Sequence, residues 1–452
     1  MTATSPPPGS RLPALIQGWR YTRDPIGFFV RFQRRYGDMF TVSFPLFGRI
    51  VYLASPELVR EVFTGDPAQF HAGEANSTVL EPTVGPYSIL TLDEDQHLRQ
   101  RKLLLPPFHG ESVRRYGELI REITEDDMES WPVGEPFAVR THTQRVTLAV
   151  ILRAVFGIQQ EARFERALKL VKEFADRADL IMQIPWLRRD LGRFSPWVRF
   201  ERSRAALEEF IYEEIAARRA EAADGDDVLS LLLSAEHDDG TPMSDRELLD
   251  ELITVVGAGH ETTATALAWA LERLVRTPRV LTRLKSSIEA GEDDYLDATI
   301  QETLRIRPVL ADVARKLTAP AEIGGYRLPA GTLVVPAIAA LHYREDLFPD
   351  PLEFRPERFL GASADRYSWI PFGGGVRRCL GAAFAQYEMR VVLKAILERA
   401  DLSAPDPRPE RVRPRNITLA PGRGGRVSLE RPLRPTPAPP APAVARPVAL
   451  GH

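Results

Sequence analysis

Residues 371–381 read PFGGGVRRCLG and contain Cys379, the only cysteine among 452 residues. A lone cysteine is most often a small apolar core filler, but its neighbours here argue for chemistry. Gly373, Gly374 and Gly375 open backbone angles closed to other residues and let a flat ligand approach the main chain. The following stretch, LGAAFAQYEMRVVLKAILERA, carries apolar residues at helical spacing, so Cys379 is expected where a helix begins. There the free N–H groups, the positive end of the helix dipole, Arg377 and Arg378 favour a thiolate. A thiolate is a metal ligand or a nucleophile. With no second cysteine, a disulfide, a thiolate zinc site and a cysteine-ligated iron–sulfur cluster are excluded from this chain, whereas haem iron needs only one protein thiolate.

Phe372, Gly375, Arg377, Cys379 and Gly381 stand at the F-x-x-G-x-R-x-C-x-G spacing of the cytochrome P-450 haem-thiolate enzymes. The chain resembles that family over nearly its whole length. The resemblance implies that Cys379 is the axial iron ligand, Phe372 packs beside the sulfur, Arg377 meets a haem propionate and Gly381 leaves room for the macrocycle. It also implies the family's fold, mainly α with small β-sheets, as a large helical domain plus a smaller sheet-containing region. On that reading residues 1–11 are a loose arm, residues 12–430 a single domain and residues 431–452 a proline-rich disordered tail. The competing reading of the stretch alone is a glycine loop before an ordinary amphipathic helix.

Two more motifs bear on the chemistry. DEDQHLRQRKLLL (residues 93–105) places His97 and Arg101 four apart on one helical face, a pair of donors suited to an anion. The resemblance assigns both to haem propionates, against a plain solvated basic face. VVGAGHETTATALAW (residues 255–269) sets Gly257 and Gly259 beside His260, Glu261, Thr262 and Thr263. Glycines weaken a helix and threonine hydroxyls capture carbonyls, so a local opening of the hydrogen-bond ladder is expected. This resembles the family's A-G-x-[DE]-T-T element, which implies that Ala258 lies against the cofactor and that Glu261 and Thr262 relay protons. A zinc protease reading of His260-Glu261 fails because the position four after His260 is Ala264. A capped helix whose polar residues face solvent is the other alternative.

Glu302 and Arg305 share a helix face, which permits a bidentate ion pair. In isolation such pairs are commonplace on surface helices. Its position before FRPERF (residues 354–359) resembles the family's buried Glu-Arg-Arg cluster, with Arg358 as third member and a structural role for all three. Arg315 resembles a further propionate-binding arginine. His342 reads as a structural histidine, because Tyr343, Arg344 and Glu345 depart from the family's pattern there.

A net charge of −3 gives no global basic field for nucleic acid. No apolar run approaches the ~18 residues needed to span a bilayer, and no membrane anchor is expected. A single thiol agrees with a reducing compartment, and the cytoplasm is the expected location. The resemblance implies haem b as cofactor and O2 as co-substrate of a monooxygenase. The chain shows neither a dinucleotide fingerprint, a flavin domain nor cluster cysteines, so a ferredoxin or flavodoxin with a separate NAD(P)H reductase is implied. Arg99, Lys102, Arg378 and Arg390 offer a basic face for that partner. Residues 71–90 as a loop, with 164–200, 253–262, 309–313 and 417–419, are expected to line an apolar pocket for a terpene, fatty acid or steroid. A haem-thiolate sensor without turnover is the alternative, disfavoured by Glu261 and Thr262.

Overall fold

Apolar residues at three- and four-residue spacing dominate the middle of the chain, and helices dominate the computed structural model, which describes residues 6–108, 110–221, 225, 227–361 and 365–436. In order come α1 (Ala14–Arg23), α2 (Pro25–Tyr36), β1 (Met39–Phe44), β2 (Gly48–Leu53), α3 (Pro56–Thr64), β3 (Phe70–His71), α4 (Ala72–Val84) and α5 (Glu94–Leu104). Then follow α6 (Glu111–Arg114), α7 (Gly117–Met128), β4 (Pro136–Ala138), α8 (Val139–Phe156), α9 (Glu161–Gln183), α10 (Pro196–Glu221), α11 (Val228–Leu233) and α12 (Asp245–Val275). The last part holds α13 (Pro278–Glu289), α14 (Asp294–Ile306), β5 (Arg315–Leu317), β6 (Ala321–Ile323), β7 (Tyr326–Leu328), β8 (Leu333–Pro336), α15 (Ile338–Leu341), α16 (Ala382–Arg399), β9 (Leu402–Ser403), β10 (Val412–Arg415), β11 (Thr418–Pro421) and β12 (Arg426–Leu429). The expected mainly helical fold with small sheets is therefore the observed one.

One sheet of five strands, ordered β1-β2-β8-β5-β3, carries the sheet region; the others have two or three strands. Alternation along β1 and β2 divides their side chains between two cores. Phe40, Val42, Ile50 and Tyr52 join Phe28, Phe29 and Phe32 of α2 in the large core, while Met39, Val51 and Leu53 face a smaller one with Phe63 of α3. The 31-residue helix α12 is the spine of the helical part, opened by a Ser244–Glu247 capping box. Gly259 faces Ile151 of α8 closely, a Cβ there coming within 2.9 Å of the end of that side chain. Thr143 and Thr147 of α8 donate to the Ala264 and His260 carbonyls, both at 2.9 Å.

Several sequence expectations are corrected here. Residues 72–84 of the expected loop are the helix α4, which tolerates Pro82 because Arg188 donates, at 2.7 Å, to the Thr78 carbonyl that proline leaves without an amide. The ladder of α12 is unbroken through Gly257 and Gly259, so the expected opening is absent. Residues 7–9 of the arm are tied to β1, where Thr41 donates to the Pro7 and Pro8 carbonyls; residues 1–5 lie outside the described residues. The start of the tail docks too, through Arg399–Arg434 and Thr436–Glu125 hydrogen bonds, and residues 437–452 lie outside the described residues.

Candidate functional site

The cysteine loop folds back on itself, with the Cys379 N–H donating to the Phe372 carbonyl at 2.9 Å, which sets positions 372 and 379 side by side. Gly374 and Gly375 serve a neighbour other than the one expected. A Cβ at either would run into Phe63 of α3, ring or carbonyl, and Gly375 has φ +64 besides. Their smallness thus seats the loop on α3. A Cβ on Gly381, by contrast, would meet nothing within 4 Å.

Cys379 lies three residues before α16, not at its first turn. Its surface is accessible although protein encloses it almost entirely, as for a residue facing an interior hollow. Burial pushes the thiol up from its ordinary value, against the Gly381 amide, Arg378 and Arg101, which pull it down. The protein's own charges therefore do not produce the thiolate expected from the sequence; coordination to a metal ion does that outright.

Four basic groups from α5, β5 and the cysteine loop gather nearby. His97 is buried and pushed down to about 3, by burial first and then by Arg377, Arg101 and Arg315. Arg315, also buried, is lowered to about 10 by burial and by Arg377. Arg377 does not extend into open space. It donates to the Ile89 carbonyl at 3.0 Å, to the Leu92 carbonyl and to Asp93, whose carboxylate also caps α4 through the Gly73 and Glu74 amides at 2.8 Å. Asp93 is the only carboxylate ion-paired with any of the four among the described residues.

On α12, residues 248–275 are buried almost throughout, yet Gly257 and Ala258 are exposed and Gly259, Glu261 and Thr262 half-buried. A strip of accessible surface in the middle of a core helix faces an interior hollow. The Thr262 hydroxyl donates to the Ala258 carbonyl at 2.7 Å. Glu261 is held from α8, by Arg140 on one oxygen and by Gln144 at 2.7 Å on the other. His260 turns away, Nδ1 lying 3.0 Å from the Val256 carbonyl, and is no ligand.

A family model described as Cytochrome P450 matches residues 6–425. The chain belongs to the cytochrome P450 family. Cytochrome P450 135B1 of Mycobacterium tuberculosis, a provisional name, is 43% identical over 94% of this chain and 91% of its own length. Cytochrome P450 138 of the same species, likewise provisional, is 39% identical over 94% and 96%. Among solved structures, the retinoic acid-bound cyanobacterial CYP120A1 superposes with a TM-score of 0.81 at 25% identity, covering 94% of this chain and 99% of that one. The protein is thus a P450 monooxygenase, an oxidoreductase of a family that works with haem iron.

The residues present in this P450 fit that group. Arg101, Arg315 and Arg377 are half to fully buried cations sharing one carboxylate, which is costly unless a further anion sits among them; the two propionates of a haem are such anions, and neutral His97 can add a hydrogen bond. His97, Arg101, Arg315 and Arg377 could hold them, Cys379 could ligate the iron, and the strip Gly257–Ala258 and the space at Gly381 would accept the ring. Phe372, half-buried against Trp369, would border the ring beside Cys379.

Glu302, Arg305 and Arg358 form a different kind of cluster. Arg305 is fully buried and bonds Glu302 at 2.6 and 2.7 Å, with its other donors on the His342, Pro351 and Glu353 carbonyls. Arg358 lies 3.5 Å from the same carboxylate, and the Arg355 amide donates to it at 2.9 Å. His342 extends this brace to the cysteine loop, since its Nε2 accepts from the Ile370 amide at 3.0 Å while Nδ1 faces the Arg305 carbonyl. Sequence reasoning recognised His342 as structural but missed this bridge. It also missed Arg140 and Gln144, whose i, i+4 spacing on α8 is the only trace they leave in the sequence.

Proposed function

We propose that this P450 inserts one oxygen atom of O2 into an apolar small molecule, with haem b as cofactor and electrons from a ferredoxin or flavodoxin and its separate NAD(P)H reductase. The observation that carries the reading is the accessible strip Gly257–Ala258–Thr262 inside a core helix, in a chain whose one cysteine faces an enclosed hollow. Bound haem iron with a thiolate ligand supplies the oxygen activation, since thiolate ligation favours O–O cleavage. Cys379 gives the sulfur; His97, Arg101, Arg315 and Arg377 take the propionates; Ala258, Phe372 and Gly381 border the ring. Thr262 keeps a hydroxyl proton at the hollow, parked on the Ala258 carbonyl. Glu261, on leaving Arg140 and Gln144, takes a proton from water and passes it to the Thr262 oxygen, replacing the one that Thr262 gives up. Glu302, Arg305 and Arg358 brace the loop.

Retinoic acid in CYP120A1 is a largely apolar ligand, which supports an apolar substrate here. On the partner face, Lys102 is paired with Asp238 and Arg390 with Asp297, so Arg99 and Arg378 remain as exposed guanidiniums without an ion-pair partner among the described residues. Those two are where an acidic electron carrier would dock. No helix among the described residues is long and apolar enough to cross a membrane, and the cytoplasm is the proposed location.

The deciding measurement is the reduced, carbon monoxide-treated spectrum. The wild type is expected to show the red-shifted Soret band of thiolate-ligated haem and Cys379→Ser to lose it; a band that survives the substitution overturns the assignment. With a surrogate ferredoxin and reductase, Thr262→Ala is expected to keep that band while its reducing equivalents yield peroxide in place of oxidised product.

A further inference from the structure

The segment between α14 and β5 carries a carboxylate that the chemistry above does not use. Its chain is pinned on two sides. The Leu419 amide donates to the Val309 carbonyl at 2.7 Å and Leu310 bridges Thr418, while a Cβ on Gly373 of the cysteine loop would lie 3.8 Å from Val313. Between these contacts sits Asp312, half-buried by surface yet enclosed by protein on every side, so that its exposed surface belongs to an interior space and not to bulk water. Among the described residues it has one hydrogen bond, from the Tyr52 hydroxyl at a long 3.3 Å, and no Lys, Arg or His pairs with it. An ionised carboxylate accepts about four hydrogen bonds. One weak bond leaves most of that capacity unmet, beside Tyr52 and within electrostatic reach of Tyr21.

Resting on the monooxygenase reading above, we infer that Asp312 is the polar anchor of the substrate pocket, selecting apolar molecules that end in a hydroxyl donor and rejecting those that end in a carboxylate. Burial pushes Asp312 up to about 6, with only the Tyr52 bond pulling the other way, so at pH 8 it is an anion without a counter-ion. A hydroxyl brought by the substrate gives it a charge-assisted hydrogen bond. A second carboxylate meets like-charge repulsion in a site of low dielectric. Of the expected substrate classes this keeps hydroxylated terpenes and sterols and removes fatty acids, and it sets the pocket apart from that of a protein that binds retinoic acid.

The test titrates the purified holoprotein at pH 8 with dodecan-1-ol and with dodecanoic acid, following the haem spin-state shift and, independently of haem, the heat of binding. The alcohol is expected to bind at least about tenfold tighter than the acid. Asp312→Asn, similar in shape but neutral, is expected to erase that preference, and Tyr52→Phe, which keeps the charge, to retain it. Equal affinities in the wild type, tighter binding of the acid, an alcohol that gives no heat, or an unchanged preference in Asp312→Asn would each overturn the anchor. Failure of the haem-thiolate reading shows elsewhere, in the carbon monoxide spectrum, and leaves the calorimetric preference to be scored on its own.

Discussion

Arg305 and Arg315 are both fully enclosed arginines within reach of the cysteine loop, and their surroundings have little in common. Every N–H of Arg305 has an acceptor, two of them on the Glu302 carboxylate, and Arg358, Arg355 and His342 complete the network. Among the described residues Arg315 donates only to the Ala314 carbonyl, at 2.8 Å, over the Phe63 ring; Arg377 repels it, and the Asp93 carboxylate, already engaged by Arg377, attracts it from a distance without pairing with it. A buried cation satisfied by protein groups holds a fold together. A buried cation whose neighbours repel it is suited to an anion brought from outside, because only then is its loss of water compensated.

The largest effect expected from this contrast lies in the brace. Glu302→Ala leaves Arg305 and Arg358 buried without their carboxylate and is expected to cost about 3–5 kcal/mol. Denaturant unfolding should show that loss with and without haem; an unchanged midpoint in either form would remove the brace from the account.

The cationic cluster should respond with the opposite sign. Arg315→Met relieves repulsion and desolvation, so the apoprotein is expected to be as stable as the wild type or more so. Haem retention should fall about tenfold to a hundredfold, the worth of one hydrogen bond to a charged group at about 1.5–3 kcal/mol. Transfer of haem to an acceptor apoprotein measures this, and a loss of apoprotein stability in place of haem affinity would move Arg315 into the first class.

The smallest effect concerns pH. His342 is held near 3 by burial and then by Arg305, so the folded state refuses a proton that the unfolded chain takes below about 6.5. The unfolded state binds more protons in that window, and stability falls as pH drops from about 6.5 toward 3. At pH 5 the loss from this one group is about 2 kcal/mol. His342→Asn should flatten that part of the stability profile while lowering stability at pH 8, since it weakens the link to the Ile370 amide.

The cysteine loop, the donors of α5, the polar run of α12 and the Glu302–Arg305 pair were legible because each is a local pattern, set by spacing along one element. Helices α2, α5, α12 and α14 were legible for the same reason: periodicity and end signals lie within a few residues of each other. The reason for Gly374 and Gly375 was not, because Phe63 is more than 300 residues away in sequence. Nor was the state of the Cys379 thiol, because the protein that surrounds it outweighs the pull of Arg378 beside it in the chain.

Residue order alone determined that this chain is helical, that its single thiol stands in a glycine loop ahead of a helix, and which acids, alcohols and cations are available to it. Tertiary structure decided which of those cations are answered by carboxylates and which are left to repel one another, and it placed Asp312 in an enclosed space with a tyrosine for company. Burial and electrostatic pairing are sums over everything packed around a group, and most of what is packed around each of these groups comes from distant parts of the chain.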